Sequence, residues 1–223
     1  MSQTSSAEEN YLKVIYHLSQ SHDGGISTNA VAEMMQTKAA SVTDMLKKLS
    51  NKGWINYQKY QGVNLTVSGE KIALNTIRKH RLWETFLVNK LHFNWDEVHE
   101  IAEQLEHIES KILINKLEAF LDFPKTDPHG DPIPTADGDI LQIKYTLLSD
   151  LRTKDNCKLL GVVIDNSVFL KMLTKMGLSL GTTIEILESN PFDNSKKVLI
   201  NGKKEAFISF EIAKNIYIKK LGQ

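Results

Sequence analysis

The pattern between Ser27 and Thr66 limits this chain's fold more than any other feature. Two short helical stretches follow one another almost without a spacer, and then residues alternate on either side of Gly62. Ser27 or Thr28 caps the first stretch, Asn29 to Met35, whose buried stripe is Val31, Ala32 and Met35. Thr37 reads as N-cap of the second, where Ala40, Val42, Met45, Leu46 and Leu49 recur at helical spacing until Asn51-Lys52-Gly53. Upstream, Tyr11, Leu12, Ile15, Tyr16 and Leu18 predict a first helix that stops before Asp23-Gly24-Gly25. Residues 54–60 and 63–66, joined through Gln61-Gly62, predict a β-hairpin. Two helices with a tight turn, followed by such a hairpin, make a winged helix.

Net charge is zero, with 27 basic and 27 acidic residues, so only the distribution of charge is informative. Lys38, Lys47, Lys48, Lys52 and Lys59 face Asp44 alone over one segment, a local charge of +4. Residues 96–109 instead carry Asp96, Glu97, Glu100, Glu103, Glu106 and Glu109 with no lysine or arginine. Opposite fields suit one part facing phosphates and another facing a cation. In the basic part, Thr37, Lys38, Ala39, Ala40, Ser41, Thr43 and Asp44 occupy the turns that enter a major groove. Ala39 or Ala40 is placed to touch a thymine methyl, and Thr37, Lys38, Ser41 and Thr43 to bind phosphates or base edges. Lys47 and Lys48, with Lys59 and Gln61 on the wing, are expected on the DNA backbone. The alternative for these lysines is plain solvation. No arginine stands there for bidentate guanine contact, so specificity is expected to rest on apolar contacts and DNA shape.

Beyond the hairpin, a long helix is predicted from Ser68 to about Lys90, then Asp96 to Leu105 and Glu109 to Leu121. Residues 127–134 gather prolines and acidic turn formers into the best domain-boundary candidate. After it, Lys158 to Ile164, Thr183 to Leu187, Lys197 to Ile200 and Ala206 to Phe210 read as short strands. An SH3-like β-barrel with an inserted helix, Phe169 to Met176, is the simplest assembly. The expected class is therefore mainly α with a small β domain. Its parts are a winged helix over 1–68, a helical domain over 69–140 and a barrel over 150–223. Hydrophobic content of 41% fits a folded protein, while the short apolar runs and polar start predict neither a membrane span nor a secretory leader. With Cys157 the single cysteine, no internal disulfide forms, and a cytoplasmic setting is expected.

The sharpest chemical pattern is His99, Glu103, Glu106 and His107. On one continuous helix they would share an arc of roughly 100°. His80 and Glu84, spaced i, i+4, share a face of the preceding helix. An acidic face is usually just solvated, and a lone histidine is usually structural, which is how His17, His22, His92 and His129 read. Nitrogen and carboxylate donors without a thiolate nevertheless suit Mn²⁺, Fe²⁺, Zn²⁺ or Co²⁺. The His-Glu-x-x-His motif of metalloproteases is absent, since Glu103 stands at the second histidine position, and no enzyme is expected. A winged-helix regulator sensing an organic ligand or a partner protein is the other alternative.

Four ordered blocks carry a resemblance. They are Glu9-Asn10-Tyr11-Leu12-Lys13-Val14-Ile15-Tyr16, Arg78-Lys79-His80-Arg81-Leu82-Trp83-Glu84, the stretch from Val98 to His107, and Gly130-Asp131-Pro132-Ile133-Pro134. Together they resemble the diphtheria-toxin-repressor and manganese-transport-regulator family over residues 8–134. The C-terminal segment is similar to that family's SH3-like domain, also seen in iron-transport accessory proteins. The resemblance implies a metal-dependent repressor that binds an operator in double-stranded DNA as a homodimer. It implies a primary metal site of Asn10, Glu103, Glu106 and His107 and an ancillary site of His80, Glu84 and His99. Asp165 is the candidate ligand from the C-terminal domain. Mn(II) or Fe(II) is the implied cofactor, with other divalent transition metals substituting in vitro. Glu103 stands where iron-responsive members carry cysteine, Asn10 where manganese-responsive members carry aspartate, and Lys13 where the short manganese regulators carry glutamate. Without metal, Glu103 and Glu106 are like charges, and the first helix is expected to have little reason to dock beside them.

Overall fold

The computed structural model describes residues 4–20, 24–58 and 61–221. Ser5 starts α1 (Ser6–Ser19) with a reciprocal cap: its hydroxyl accepts the Glu8 N–H, and Glu8 accepts the Ser5 N–H. The Ser27 hydroxyl accepts the Ala30 N–H and starts α2 (Thr28–Met34). α3 (Ala39–Asn51) has Lys38 as N-cap without a side-chain bond. The expected Thr37 cap is thus corrected, because α3 begins at Ala39 and Thr37 lies one position before its N-cap. β1 (Ile55–Gln58) and β2 (Gly62–Leu65) pair antiparallel with Ile55 opposite Leu65 and Gln58 opposite Gly62, and Ile26 adds a bridge to Val63. The 25-residue α4 (Val67–Leu91) follows, then α5 (His99–Leu105) and α6 (Lys111–Phe120).

Two compact units divide the chain. The first comprises Met1–His80, Glu103–Lys111 and Pro134–Ile140. Its core is Leu12, Ile15, Val31, Leu46, Leu49, Ile55 and Val63, with Leu74 and Ile77 from α4. Each such fully buried side chain contributes about 1.5–3 kcal/mol, which outweighs the weak helix propensity of so short an element as α2.

The second unit comprises Arg81–Ala102, Ile112–Ile133 and Leu141–Gln223. Leu82, Ile114, Leu117 and Ile133 form a small cluster, while Ile112, Leu113, Phe120 and Phe123 stay exposed. β3 (Thr146–Leu147), β4 (Asn156–Val162), β5 (Thr183–Ser189), β6 (Lys196–Ile200), β7 (Lys204–Ile208) and β8 (Ile216–Leu221) form an antiparallel sheet ordered β3-β8-β4-β5-β6-β7. α7 (Ser167–Met176) packs Leu170 and Leu173 into the same core as Ile184, Ile186 and Ile218. A short α8 (Phe210–Ala213) precedes β8. The sheet adds β3 and β8 to the four strands expected.

The proline-rich loop is not an exposed linker. Asp127, Pro128, His129, Gly130, Ile133 and Pro134 are all buried. Arg81 donates to the Pro132 carbonyl and pairs with Asp131 at 2.9 Å. Val162 donates its N–H to the His129 carbonyl at 2.8 Å, and the Tyr145 hydroxyl donates to the Gly130 carbonyl. Gly161 is required here, because a Cβ at that position would meet the His129 carbonyl oxygen at 2.2 Å.

Candidate metal centre and DNA-reading face

In the first unit, α1 brings Glu9 and Lys13 to the turn after α5. Glu9 is buried, and its Oε2 accepts the His107 Nδ1–H at 2.6 Å, while its Oε1 faces the Lys79 ammonium at 3.4 Å. Lys13, one helical turn later, places Nζ 2.6 Å from Glu106 Oε1 and 3.6 Å from Glu103 Oε1. The other Glu106 oxygen accepts from His80 Nδ1 at 2.6 Å. Burial alone would push the Glu106 carboxyl up, but the His80 imidazole and the Lys13 ammonium outweigh it and hold the group below the usual range.

Asn10 lies between Glu9 and Lys13 on α1. Its Oδ1 is buried and has no hydrogen-bond partner among the described residues. An unsatisfied buried acceptor costs about 1–3 kcal/mol, which a cation taking that lone pair would return. Amide oxygen, two carboxylates and an imidazole form a hard, thiolate-free donor set, and these residues fit a divalent ion of the Mn²⁺ or Fe²⁺ kind.

Two expectations change. α5 ends at Leu105, so Glu106 and His107 sit on the following turn, not on one helical arc with His99 and Glu103. The Glu106 side chain is fully buried, whereas that of Glu103 is 51% exposed. The carboxylate pair is also not left as bare like charges, because Lys13 sits against both.

In the second unit, Glu84 is the hub. Its carboxylate lies 3.5 Å from His99 Nδ1 and 3.4 Å from His129 Nδ1. Glu84, Asp127 and His129 are all buried and offer ligand atoms within 4.8 Å of one another. His129 was expected to be structural and without company; the burial of its loop gives it that company. Its Nε2–H donates to the Trp95 carbonyl at 2.8 Å, which leaves Nδ1 toward Glu84. Burial disfavours the imidazolium, but Glu84 and then Asp127 outweigh it, so its pKa lies above the usual histidine value. Burial, then Glu84 and Asp131, raise the Asp127 carboxyl. Crowded buried carboxylates of this kind favour a positive guest. His80 stands one turn before Glu84 on α4. Asp165 is exposed on the loop between β4 and α7 and is not part of the Glu84, Asp127 and His129 group.

Of the residues expected to meet DNA, Thr37, Lys38, Ala39, Ala40, Ser41, Lys47, Lys48 and Gln61 are exposed. Thr43 is half-buried and donates its hydroxyl to the Ala39 carbonyl at 2.9 Å. Lys48 and Lys52 converge on the buried Glu8 carboxylate at 3.0 and 2.6 Å, although the Lys48 side chain stays 54% exposed. Lys47 pairs with exposed Asp44 at 3.3 Å. A cleft of about 560 Å³ opens between Ala39, Thr43 and Lys47 on one side and Tyr57, Gln58 and Gly62 on the other. Lys59 and His22 lie outside the described residues.

Comparison with known proteins decides the family. Residues 3–63 match the iron dependent repressor N-terminal DNA binding domain, residues 66–135 the iron dependent repressor metal binding and dimerisation domain, and residues 146–220 the FeoA domain. A solved manganese-dependent transcriptional repressor in complex with manganese is similar with a TM-score of 0.81 at 34% identity, covering 96% of this chain and 100% of that one. The chain belongs to the iron-dependent repressor family, that of the diphtheria toxin repressor and the manganese regulators. It is also similar to the manganese regulator SloR, with a TM-score of 0.70, 36% identity and coverage of 96% and 98%. The iron-dependent repressor IdeR of Mycobacterium leprae (strain TN) is 32% identical over 127 residues, 56% of this chain; the match spans about half of that relative's length, 54%. The family's members are metal-dependent transcriptional repressors, and the mainly helical fold with a C-terminal SH3-like sheet is theirs. No helix among the described residues is long and apolar enough to cross a membrane.

Glu9, Asp127 and His129 did not stand out in the sequence. Glu9 hides beside Asn10 as an ordinary first-turn acid, and Asp127 and His129 sit in a loop whose composition suggests exposure.

Proposed function

We propose that this chain is a divalent-metal-responsive repressor that binds a palindromic operator as a homodimer and controls metal-homeostasis genes, with manganese preferred to ferrous iron. Asn10, Glu103, Glu106 and His107 hold the primary ion. The observation that carries this is the unpartnered, buried Asn10 oxygen on the helix that already reaches Glu106 and His107. A second ion belongs at Glu84, with His80 and His99 from the expected set and Asp127 and His129 added by the fold. Glu103 in place of a thiolate supports manganese.

In this reading residues 1–68 read DNA, 69–140 carry the metal ligands and dimer contacts, and 150–223 form the barrel. The exposed Ile112, Leu113, Phe120 and Phe123 support self-association, since apolar side chains grouped on one helix and its exit favour a buried partner. A bound ion supplies positive charge and directed bonds at the α1 cluster. Asn10 fixes the orientation of α1, and with it the spacing of the two α3 helices, near one turn of DNA, about 34 Å. Bias from 1:99 to 99:1 needs about 5.5 kcal/mol of differential binding, well inside the ~10 kcal/mol scale of metal sites in proteins.

The test is operator binding with Mn²⁺ and with EDTA, for wild type, Glu106→Ala and His107→Ala. Loss of metal stimulation in folded dimeric variants is expected. A normal response in both would remove these ligands, and chelator-insensitive binding by the wild type would favour an organic ligand or protein signal.

A further inference from the structure

Glu106 carries two hydrogen-bond partners before any ion arrives. Its Oε2 takes His80 Nδ1 at 2.6 Å and its Oε1 takes Lys13 Nζ at 2.6 Å, with no part of its side chain exposed. The Lys13 side chain is itself only 12% exposed, and its ammonium also lies 3.6 Å from Glu103 Oε1. A single-charged group from α1 therefore occupies the oxygens of both carboxylates assigned to the primary ion. Lys79, which is buried, faces Glu9 at 3.4 Å.

We propose that Lys13 is a built-in counter-cation that an incoming divalent ion must displace, so that it sets the metal concentration at which the primary cluster fills. This rests on the reading of Asn10, Glu103, Glu106 and His107 as ligands. Two cations at hydrogen-bond distance from one carboxylate oxygen repel each other strongly in a buried site, because little water screens them. The ammonium has three rotatable donors on a flexible four-carbon stem, so it leaves without moving the helix that bears it. While it is in place, Lys13 keeps Glu106 ionised and α1 attached to the turn after α5. The metal-free protein is thus held in a ready conformation at the expense of metal affinity. The cluster responds only when the ion is abundant enough to win the exchange.

Calorimetric Mn²⁺ titration and thermal melting of the metal-free, full-length protein test this for wild type, Lys13→Met, Lys13→Arg and Glu106→Gln. Lys13→Met should bind Mn²⁺ at least tenfold more tightly in the step that Glu106→Gln abolishes, and its metal-free form should melt several degrees lower. Lys13→Arg keeps the charge and should bind no more tightly than wild type. If Lys13→Met binds with unchanged or weaker affinity, or Lys13→Arg binds more tightly, the lysine is no competitor, while the ligand assignment survives through the Glu106→Gln loss. If Glu106→Gln leaves Mn²⁺ binding intact, the ligand assignment fails and the proposal with it.

Discussion

His107 Nδ1 donates to Glu9 Oε2 at 2.6 Å, which leaves its Nε2, 3.7 Å from Glu106 Oε1, on the side of the carboxylates. A carboxylate behind an imidazole fixes the tautomer and raises the basicity of the outward nitrogen. Glu9→Gln should therefore weaken Mn²⁺ binding by about 10–100-fold while every proposed ligand remains. Calorimetry checks this, and an unchanged affinity would make the Glu9 contact purely structural.

Lys47 is the exposed lysine of α3 with the weakest protein partner, Asp44 at 3.3 Å on the surface. Lys47→Ala should weaken binding alike on specific and unrelated DNA and lower the salt dependence by about one counterion. Operator titrations over a range of salt concentrations measure the slope. An unaltered slope would mean a solvated lysine.

Glu8 ties α1 to α3 through Lys52 and Lys48. Burial opposes its ionisation, but the Lys52 hydrogen bond, the Ser5 N–H and Lys48 prevail and bring its pKa down to about 2. A depressed carboxylate stabilises the fold above its unfolded value, 4.5, and loses that contribution as pH falls from there toward 2. Glu8→Gln should cost about 1–3 kcal/mol at neutral pH and flatten this acid limb. Denaturant unfolding at pH 7 and pH 3 gives both numbers; equal losses at the two pH values would contradict the assignment.

Much of this architecture is written in local patterns. Ser27, the apolar spacing of α3 and the residues flanking Gly62 specify the winged helix, because each element is short and its signals are near neighbours. The α1 cluster was legible as residue types, but its wiring was not. Lys13 and Glu106 are 93 positions apart, and only tertiary packing pairs them. The end of α5 at Leu105 was legible, but the arc of His99, Glu103, Glu106 and His107 carried the helix past it, because the charge pattern runs on through His107. β8 went unread because Lys219 and Lys220 mask its buried Ile216 and Ile218. The Asp127–His129 segment carries the composition of a surface turn. Its burial depends on Gly161 and Val162, some thirty positions downstream, which no local rule connects.

That dependence is testable. Gly161→Ala would force a Cβ to within 2.2 Å of the His129 carbonyl, so backbone must move. A loss of about 1–3 kcal/mol in stability is expected from overpacking, together with weaker metal binding at Glu84, Asp127 and His129. Unfolding and metal titrations read the two effects separately; full stability with full metal occupancy would show that the clasp yields at no cost.

The most direct measurement is an anomalous difference map at the manganese edge from crystals grown in excess Mn²⁺. The account predicts a peak bonded by Asn10 Oδ1, Glu103, Glu106 and His107, with the Lys13 ammonium displaced from Glu106. A map without a peak there, or with an ion that leaves Asn10 unbound and Lys13 still on Glu106, would contradict it.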